Sequence, residues 1–240
     1  MGIYDILEHM AKRKIPFVRG EYYHVYNRGN SKQRIFLDKE DYQHFIKLLF
    51  ICNSKINFKF RDNIVDIKID AFEFERGKQI VSIGTWVLMP NHFHLYLTIN
   101  PHMSDMWGKD ERNYISEFMR KLLTSYAKYF NGKYHRTGSL FEGSFKATHI
   151  ENDNQAKYLF SYIHLNPVKL IQNNWKEEGI KDTKNTLEFL CKYKWSSYLD
   201  YKEINRKENK ILNIEDFVSY FKDIKDFDKE ILEWLEYKEK

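Results

Sequence analysis

The sequence predicts an α+β fold, an antiparallel sheet with helices on one face, followed by a helical C-terminal appendage. Three observations predict it. Several short segments alternate apolar and polar residues in the manner of strands. Three longer segments carry apolar residues at helical spacing, and the segments run strand, helix, strands, helix, strand, helix. That order fits a ferredoxin-like arrangement most economically.

The elements justify themselves in turn. Glu21–Arg28 alternates as a strand, and Gly29-Asn30 ends it as a turn. Asp38 is placed to cap a helix through Tyr42, Phe45, Ile46, Leu48, Leu49 and Ile51, with Asp41 supporting its first turn. Ile64–Phe74 and Ile80–Met89 read as strands across a charged turn at Gly77. Pro90-Asn91 breaks the run, and His92–Ile99 reads as a further strand. A helix follows from about Asp110 to Phe130, with Ile115, Phe118, Leu122, Tyr126 and Phe130 along one side. Ser139–Ile150 holds a short strand. Asn152 opens the next helix, with Gln155 spaced to complete a capping box. Residues 1–174 form the expected principal domain, and residues 175–240 the helical extension.

Composition limits the function classes. The chain has 240 residues, 42% hydrophobic and 17% aromatic, which is ample for a packed core. No apolar run approaches the ~20 residues of a membrane span. The first twenty residues lack the long apolar stretch of a signal peptide. Cys52 and Cys191 stand apart without cysteine or histidine neighbours, which argues against a disulfide framework or structural zinc and suits a reducing cytoplasm. The net charge is +5, and it is unevenly spread. Residues 1–174 carry 25 basic against 18 acidic side chains, and residues 175–240 carry 14 against 16. The basic excess suits a polyanionic partner and lies in the part that holds the candidate chemistry.

That chemistry begins at Pro90-Asn-His92-Phe-His94-Leu-Tyr-Leu. On a strand, Phe93, Leu95, Leu97 and Ile99 point to one face, and His92, His94, Tyr96 and Thr98 to the other, which is expected to be open. Two imidazoles at i and i+2 can converge on one divalent cation, although two solvated histidines on a half-buried strand give the same pattern. A third ligand has to come from an element crossing that face. On the helix after Asn152, Ala156, Leu159, Phe160 and Ile163 make the apolar stripe, and Tyr158, Tyr162 and Asn166 follow at i+4 along its shoulder. The Asn166 amide oxygen is a hard ligand, and Tyr162 lies one turn before it. Pro167 biases Asn166 away from helical geometry, so the helix is expected to end or kink there.

These segments together resemble the REP-associated tyrosine transposases, relatives of the small insertion-sequence transposases with a single catalytic tyrosine. Trp86-Val-Leu-Met-Pro-Asn-His92-Phe-His94-Leu resembles their HUH-motif strand, and Tyr22-Tyr-His-Val-Tyr-Asn-Arg-Gly29 their opening strand. Leu122–Lys146 is similar to their central basic segment, Tyr162-Ile-His-Leu-Asn166-Pro-Val-Lys169 to their nucleophile helix, and Trp195-Ser-Ser-Tyr198 to an element near the end. The likeness runs in the same order from Tyr22 to Tyr201.

The resemblance implies a ferredoxin-like fold, Mg²⁺ or Mn²⁺ bound by His92 and His94, Asn166 in the place of the third ligand, and Tyr162 attacking a DNA phosphodiester. The implied substrate is a hairpin in single-stranded DNA with a cleavable flank. Arg28, Lys32, Arg34, Arg120, Lys121, Lys128, Lys133, Arg136 and Lys146 are the candidate nucleic-acid contacts, interleaved with aromatic rings able to stack on unpaired bases. Tyr126 and Phe130 read as core, and the loop Asn131–Ser139 as a DNA contact. A homodimer and a monomer are both compatible with the sequence. Alternatives are a domesticated hairpin-binding protein without catalysis, an unrelated His-x-His metal hydrolase, and a replication or mobilisation nuclease with the same chemistry.

Overall fold

Alternating residues of four segments pair into one antiparallel sheet in the computed structural model of the chain, which describes residues 16–102, 114–218 and 224–236. The strands are β1 (Tyr22–Arg28), β2 (Val81–Met89), β3 (His92–Ile99) and β4 (Lys146–Ile150), in the order β2-β3-β1-β4. Helix α1 (Lys39–Ile51) joins β1 to β2, and α2 (Tyr114–Lys133) joins β3 to β4. This is the ferredoxin-like connection that the element order predicts. The expected start of α2 at Asp110 lies outside the described residues.

Local chemistry fixes each element. The Asp38 carboxylate accepts from the Asp41 amide at 3.0 Å while Asp41 accepts from the Asp38 and Leu37 amides, a reciprocal cap on α1. Gly29 is required where β1 ends, because a Cβ there meets the Gln33 carbonyl oxygen at 2.2 Å. The tight Pro90-Asn91 turn is gripped from this loop: Ile35 and Phe36 donate to the Pro90 carbonyl, and Gly29 donates to that of Asn91. His92 is thereby anchored at the first residue of β3.

One expected strand is not formed. Ile64–Phe74 makes helical turns at Arg61–Val65 and Ala71–Glu73 instead. The reason is local: Asn63 accepts from the Lys59 amide and Asp70 from the Phe72 amide, side-chain bonds that compete with a ladder.

One face of the sheet carries Val25, Ile83, Trp86, Leu88, Phe93, Leu95 and Leu97 against α1 and α2, in a core that includes the fully buried Phe45, Phe118, Leu122 and Tyr126. The parity of β2 changes at a bulge between Ile83 and Thr85, so Ile83 and Trp86 share this face. Gly84 sits in the bulge, where an added Cβ would meet the Phe217 ring at 2.9 Å.

The other face is not open. Helix α3 (Asp153–Leu165) crosses it, with Ala156, Leu159 and Ile163 on Val87, Met89, Tyr96 and Ile150. Asn152 caps α3 through the Gln155 amide, and the Gln155 side chain reaches the Glu151 amide, one residue earlier than a capping box would have it. Phe160, expected in the same stripe, turns away. It joins Leu165, Val168, Trp175, Leu190, Tyr198, Phe227 and Ile231 in a second core behind α3. Leu165 ends α3 and Val168 follows in the turn Asn166–Leu170; the others come from α4 (Trp175–Glu178), α5 (Thr183–Lys192), α6 (Tyr198–Tyr201) and α7 (Ile224–Glu236). The Trp195–Ser197 stretch adds to the β2 edge, with Leu88 donating to Trp195 and Ser197 to Trp86. No helix among the described residues is long and apolar enough to cross a membrane.

Candidate active site

The register of β1 on β3 builds the site. Tyr26 lies opposite His94, His24 opposite Tyr96, and Arg28 opposite His92, so all six side chains share the face under α3. Roofing by α3 leaves His94 only 6% and His24 only 4% exposed, whereas His92 at the strand start is half-buried. The two buried rings are hydrogen-bonded, His24 Nε2 to His94 Nδ1, at 2.8 Å. Tyr26 and His92 flank His94, with ring centroids 5.7 and 5.0 Å away.

Helix α3 brings Tyr162 onto this group. Its ring stands edge-on to His94 at 5.3 Å and to His24 at 6.3 Å, and stacks on Tyr158 at 6.1 Å. The α-helix ends at Leu165, as Pro167 led us to expect, but Asn166 does not leave helical geometry. It keeps helical angles (φ −53°, ψ −39°), and the chain continues from it as a tighter 3₁₀ turn, Asn166–Leu170. Proline is well tolerated at the start of that turn, because its missing N–H falls where no bond is needed. The i+4 row Tyr158, Tyr162, Asn166 is therefore unbroken.

Electrostatics keep the rings neutral. Burial lowers the His24 pKa to about 3. Burial lowers His92 to about 4, with Lys169 and Arg28 acting in the same sense and Asn166 against it. His94 is lowered well below the usual value by burial first, then by His24, His92, Lys169 and Lys176. The Lys176 ammonium lies 4.5 Å from the centroid of the Tyr162 ring.

No group of three histidine, cysteine or carboxylate side chains is arranged to hold a metal among the described residues. The donors that do gather fit a cation completed by an amide. His94 Nε2 is buried without a hydrogen-bond partner, and the Asn166 amide, which interacts with His92, makes no well-formed hydrogen bond, which is costly for a protein unless a ligand uses these atoms. Neutral imidazole and an amide oxygen are acceptable to a divalent ion. His92 is oriented by the Asn91 amide oxygen, 2.6 Å from its Nδ1.

The candidate nucleic-acid contacts divide. Lys146 is the register partner of Tyr26 on the site face. Lys32 is exposed, and its carbonyl accepts from Asn91 beside His92. Arg28 is at the rim but engaged in a two-pronged pair with Glu142, which also feels Lys146 and Lys32. Arg34 is exposed just beyond. Arg120, Lys121, Lys128 and Lys133 are carried by α2, across the sheet from the site. Arg120 and Lys128 are exposed there. Lys121 is buried, bonded to the Ser54 carbonyl at 2.6 Å and Glu117 at 2.9 Å, and Lys133 is clamped by Asp38, Glu40 and Asp41. These two lysines hold the fold rather than face a phosphate. Arg136 donates to Gln33 at 2.8 Å and covers the Phe130 ring.

Sequence reasoning missed His24, Lys169 and Lys176. His24 was visible only as one strand histidine, and its bond to His94 depends on a register that sequence does not supply. Lys169 lay inside the quoted motif at the turn after Asn166. Lys176 lies in the acidic C-terminal quarter, beyond the expected domain boundary.

A ferredoxin-like sheet with paired histidines on one strand and a tyrosine on the helix above them is the class that fold and site define. Among solved structures the chain is similar to a REP-associated tyrosine transposase bound to a REP hairpin, at 14% identity and a TM-score of 0.44, covering 83% of this chain and 90% of that one. It is similar to a candidate transposase from Deinococcus radiodurans R1 at 15% identity and a TM-score of 0.32, covering 62% and 93%. It is also similar to a bacterial tRNA(His) guanylyltransferase (Thg1)-like protein in complex with GTP, at 10% identity and a TM-score of 0.39, covering 75% and 81%. The first of these is from the group that the sequence motifs resemble. No known family profile and no curated protein matches the chain.

Proposed function

We propose that the chain cuts and rejoins a strand of hairpin-containing single-stranded DNA through a covalent phosphotyrosine at Tyr162. The observation that carries this reading is the meeting of Tyr162 with His94, at 5.3 Å between ring centroids, on a helix whose next turn holds the buried Asn166 amide.

Tyr162 attacks phosphorus through its phenolic oxygen. A Tyr–O–P bond forms, the P–O bond to one sugar oxygen breaks, the phenol gives up its proton, and the departing sugar oxygen takes one up. The phosphodiester energy is kept in the phosphotyrosine, so a new hydroxyl end can reverse the step without ATP. His92, His94 and Asn166 would hold the Mg²⁺ or Mn²⁺ ion, which supplies Lewis-acid polarisation of the phosphoryl oxygens when bound. Lys176, over the Tyr162 ring, favours the negative charge that develops on the attacking oxygen and on the phosphate. Lys169 adds positive charge beside His92. The roof of α3 keeps the histidines from bulk water, which strengthens each of these interactions. Lys32 and Lys146 at the rim are suited to the flanking phosphates.

The test is incubation of the protein with end-labelled hairpin single-stranded DNA and Mn²⁺, followed by a denaturing gel. The expected result is a protein–DNA adduct that disappears in Tyr162→Phe. Release of free ends with Tyr162→Phe fully active would instead show a hydrolase. Hairpin binding with neither cleavage nor adduct would show a binding protein.

A further inference from the structure

His24 belongs to none of the roles above, although it is the nearest polar neighbour of His94. Its Nε2 lies 2.8 Å from His94 Nδ1, with the rings 25° from coplanar and their centroids 5.0 Å apart. One of the two nitrogens carries the shared proton and the other accepts it, so each ring's tautomer dictates the other's. Resting on the metal-dependent reading of the site, we infer that His24 is a positioning residue: it accepts the Nδ1–H of His94, leaving the His94 Nε2 lone pair for the cation.

The need for a free lone pair on His94 distinguishes the two tautomers. If His94 carried its proton on Nε2, its only lone pair would lie on Nδ1, engaged by His24, and nothing would be left for a cation. With the proton on Nδ1, Nε2 keeps a lone pair, which a cation can use. His24 then carries its own proton on Nδ1. His24 Nδ1 and the hydroxyl of its cross-strand partner Thr148 are both buried without a hydrogen-bond partner. Histidine ligands are commonly fixed in this manner, by an acceptor on the nitrogen that does not bind the ion. Here that acceptor is a second imidazole, delivered by the adjacent strand through the register that sets Tyr26 opposite His94.

Two measurements test the assignment on the full chain. Long-range proton–nitrogen correlation spectra of the metal-free, ¹⁵N-histidine-labelled protein read the tautomer of His94, assigned with His94→Gln. We expect a protonated Nδ1 and a bare Nε2, and a protonated Nε2 on wild-type His94 overturns the inference. Calorimetric titration with Mn²⁺ alone should show binding weakened about 10- to 100-fold in His24→Phe, the range for loss of such a supporting group. His24→Gln, whose amide oxygen can accept the same proton, should recover most of that loss. Equal Mn²⁺ affinity in wild type and folded His24→Phe also overturns it. If wild-type protein binds no Mn²⁺ at all, the metal-dependent reading fails, and the tautomer spectrum still decides for or against His24.

Discussion

Lowering the pH from about 7 to about 5 should destabilise this protein far more than its surface charges would. His24 and His164 are fully enclosed, and burial lowers each to about 3, while His94 is lowered well below its usual value. His164 is further fixed as a neutral ring by Thr85 and Ser197, each 2.9 Å from its Nε2. The unfolded chain protonates its histidines near pH 6.5, so between that pH and about 3 it binds more protons than the fold does. Stability contributed by these rings is therefore complete above pH 6.5 and falls as the pH drops through the window. At pH 5 an unfolded histidine has gained about 1.5 pH units of protonation, worth about 2 kcal/mol. His24 and His164 together cost about 4 kcal/mol, with His94, His92 and His44 adding in the same sense, a large part of the roughly 5–15 kcal/mol that holds a domain folded. Asp200, raised by burial, works in the opposite sense but only near the carboxylate range. Urea unfolding at the two pH values, followed by tryptophan fluorescence, measures the difference, and His164→Gln should reduce it by about 2 kcal/mol. A loss of about 2 kcal/mol or less in the wild type would refute the claim that these rings are kept neutral by burial.

Three other perturbations separate the roles of site residues. Lys176→Met should slow single-turnover nicking about 10-fold or more while changing hairpin affinity in a binding assay much less, because its charge acts on the attacking oxygen. Asn166→Leu removes a buried amide that makes no well-formed hydrogen bond, so metal-free protein should melt close to the wild type, whereas calorimetry should show Mn²⁺ binding lost. Glu142→Gln releases Arg28 from its ion pair, and should tighten hairpin binding with a salt dependence steeper by about one phosphate contact.

Much of this fold could be read from sequence because its strands alternate cleanly and its helices are capped by recognisable residues. Phe93, Leu95 and Leu97 reach the core as their spacing requires, and Asp38 and Asp41 close the box their positions suggest. The segment from Ile64 to Phe74 was misread since its apolar spacing resembles a strand, while the Asn63 and Asp70 side chains that bend it act over only a few residues. For the site, the spacing of His92, His94, Tyr162 and Asn166 was legible, and the continuation of helical geometry past Pro167 was not. The His24 contribution depends on inter-strand register, and the Lys176 contribution on how a distant segment returns to α3. Lists of basic residues also conceal their carboxylate partners: Arg28 meets Glu142, and Lys133 meets three acidic side chains at the start of α1.

The central claim is that Tyr162 becomes joined to DNA, and peptide mapping of a trapped adduct tests it most directly. After nuclease trimming and trypsin digestion, the account predicts a nucleotide mass on the peptide from Tyr158 to Lys169, with fragment ions assigning it to Tyr162. A nucleotide mass on Tyr158, on any other residue, or on none would contradict it.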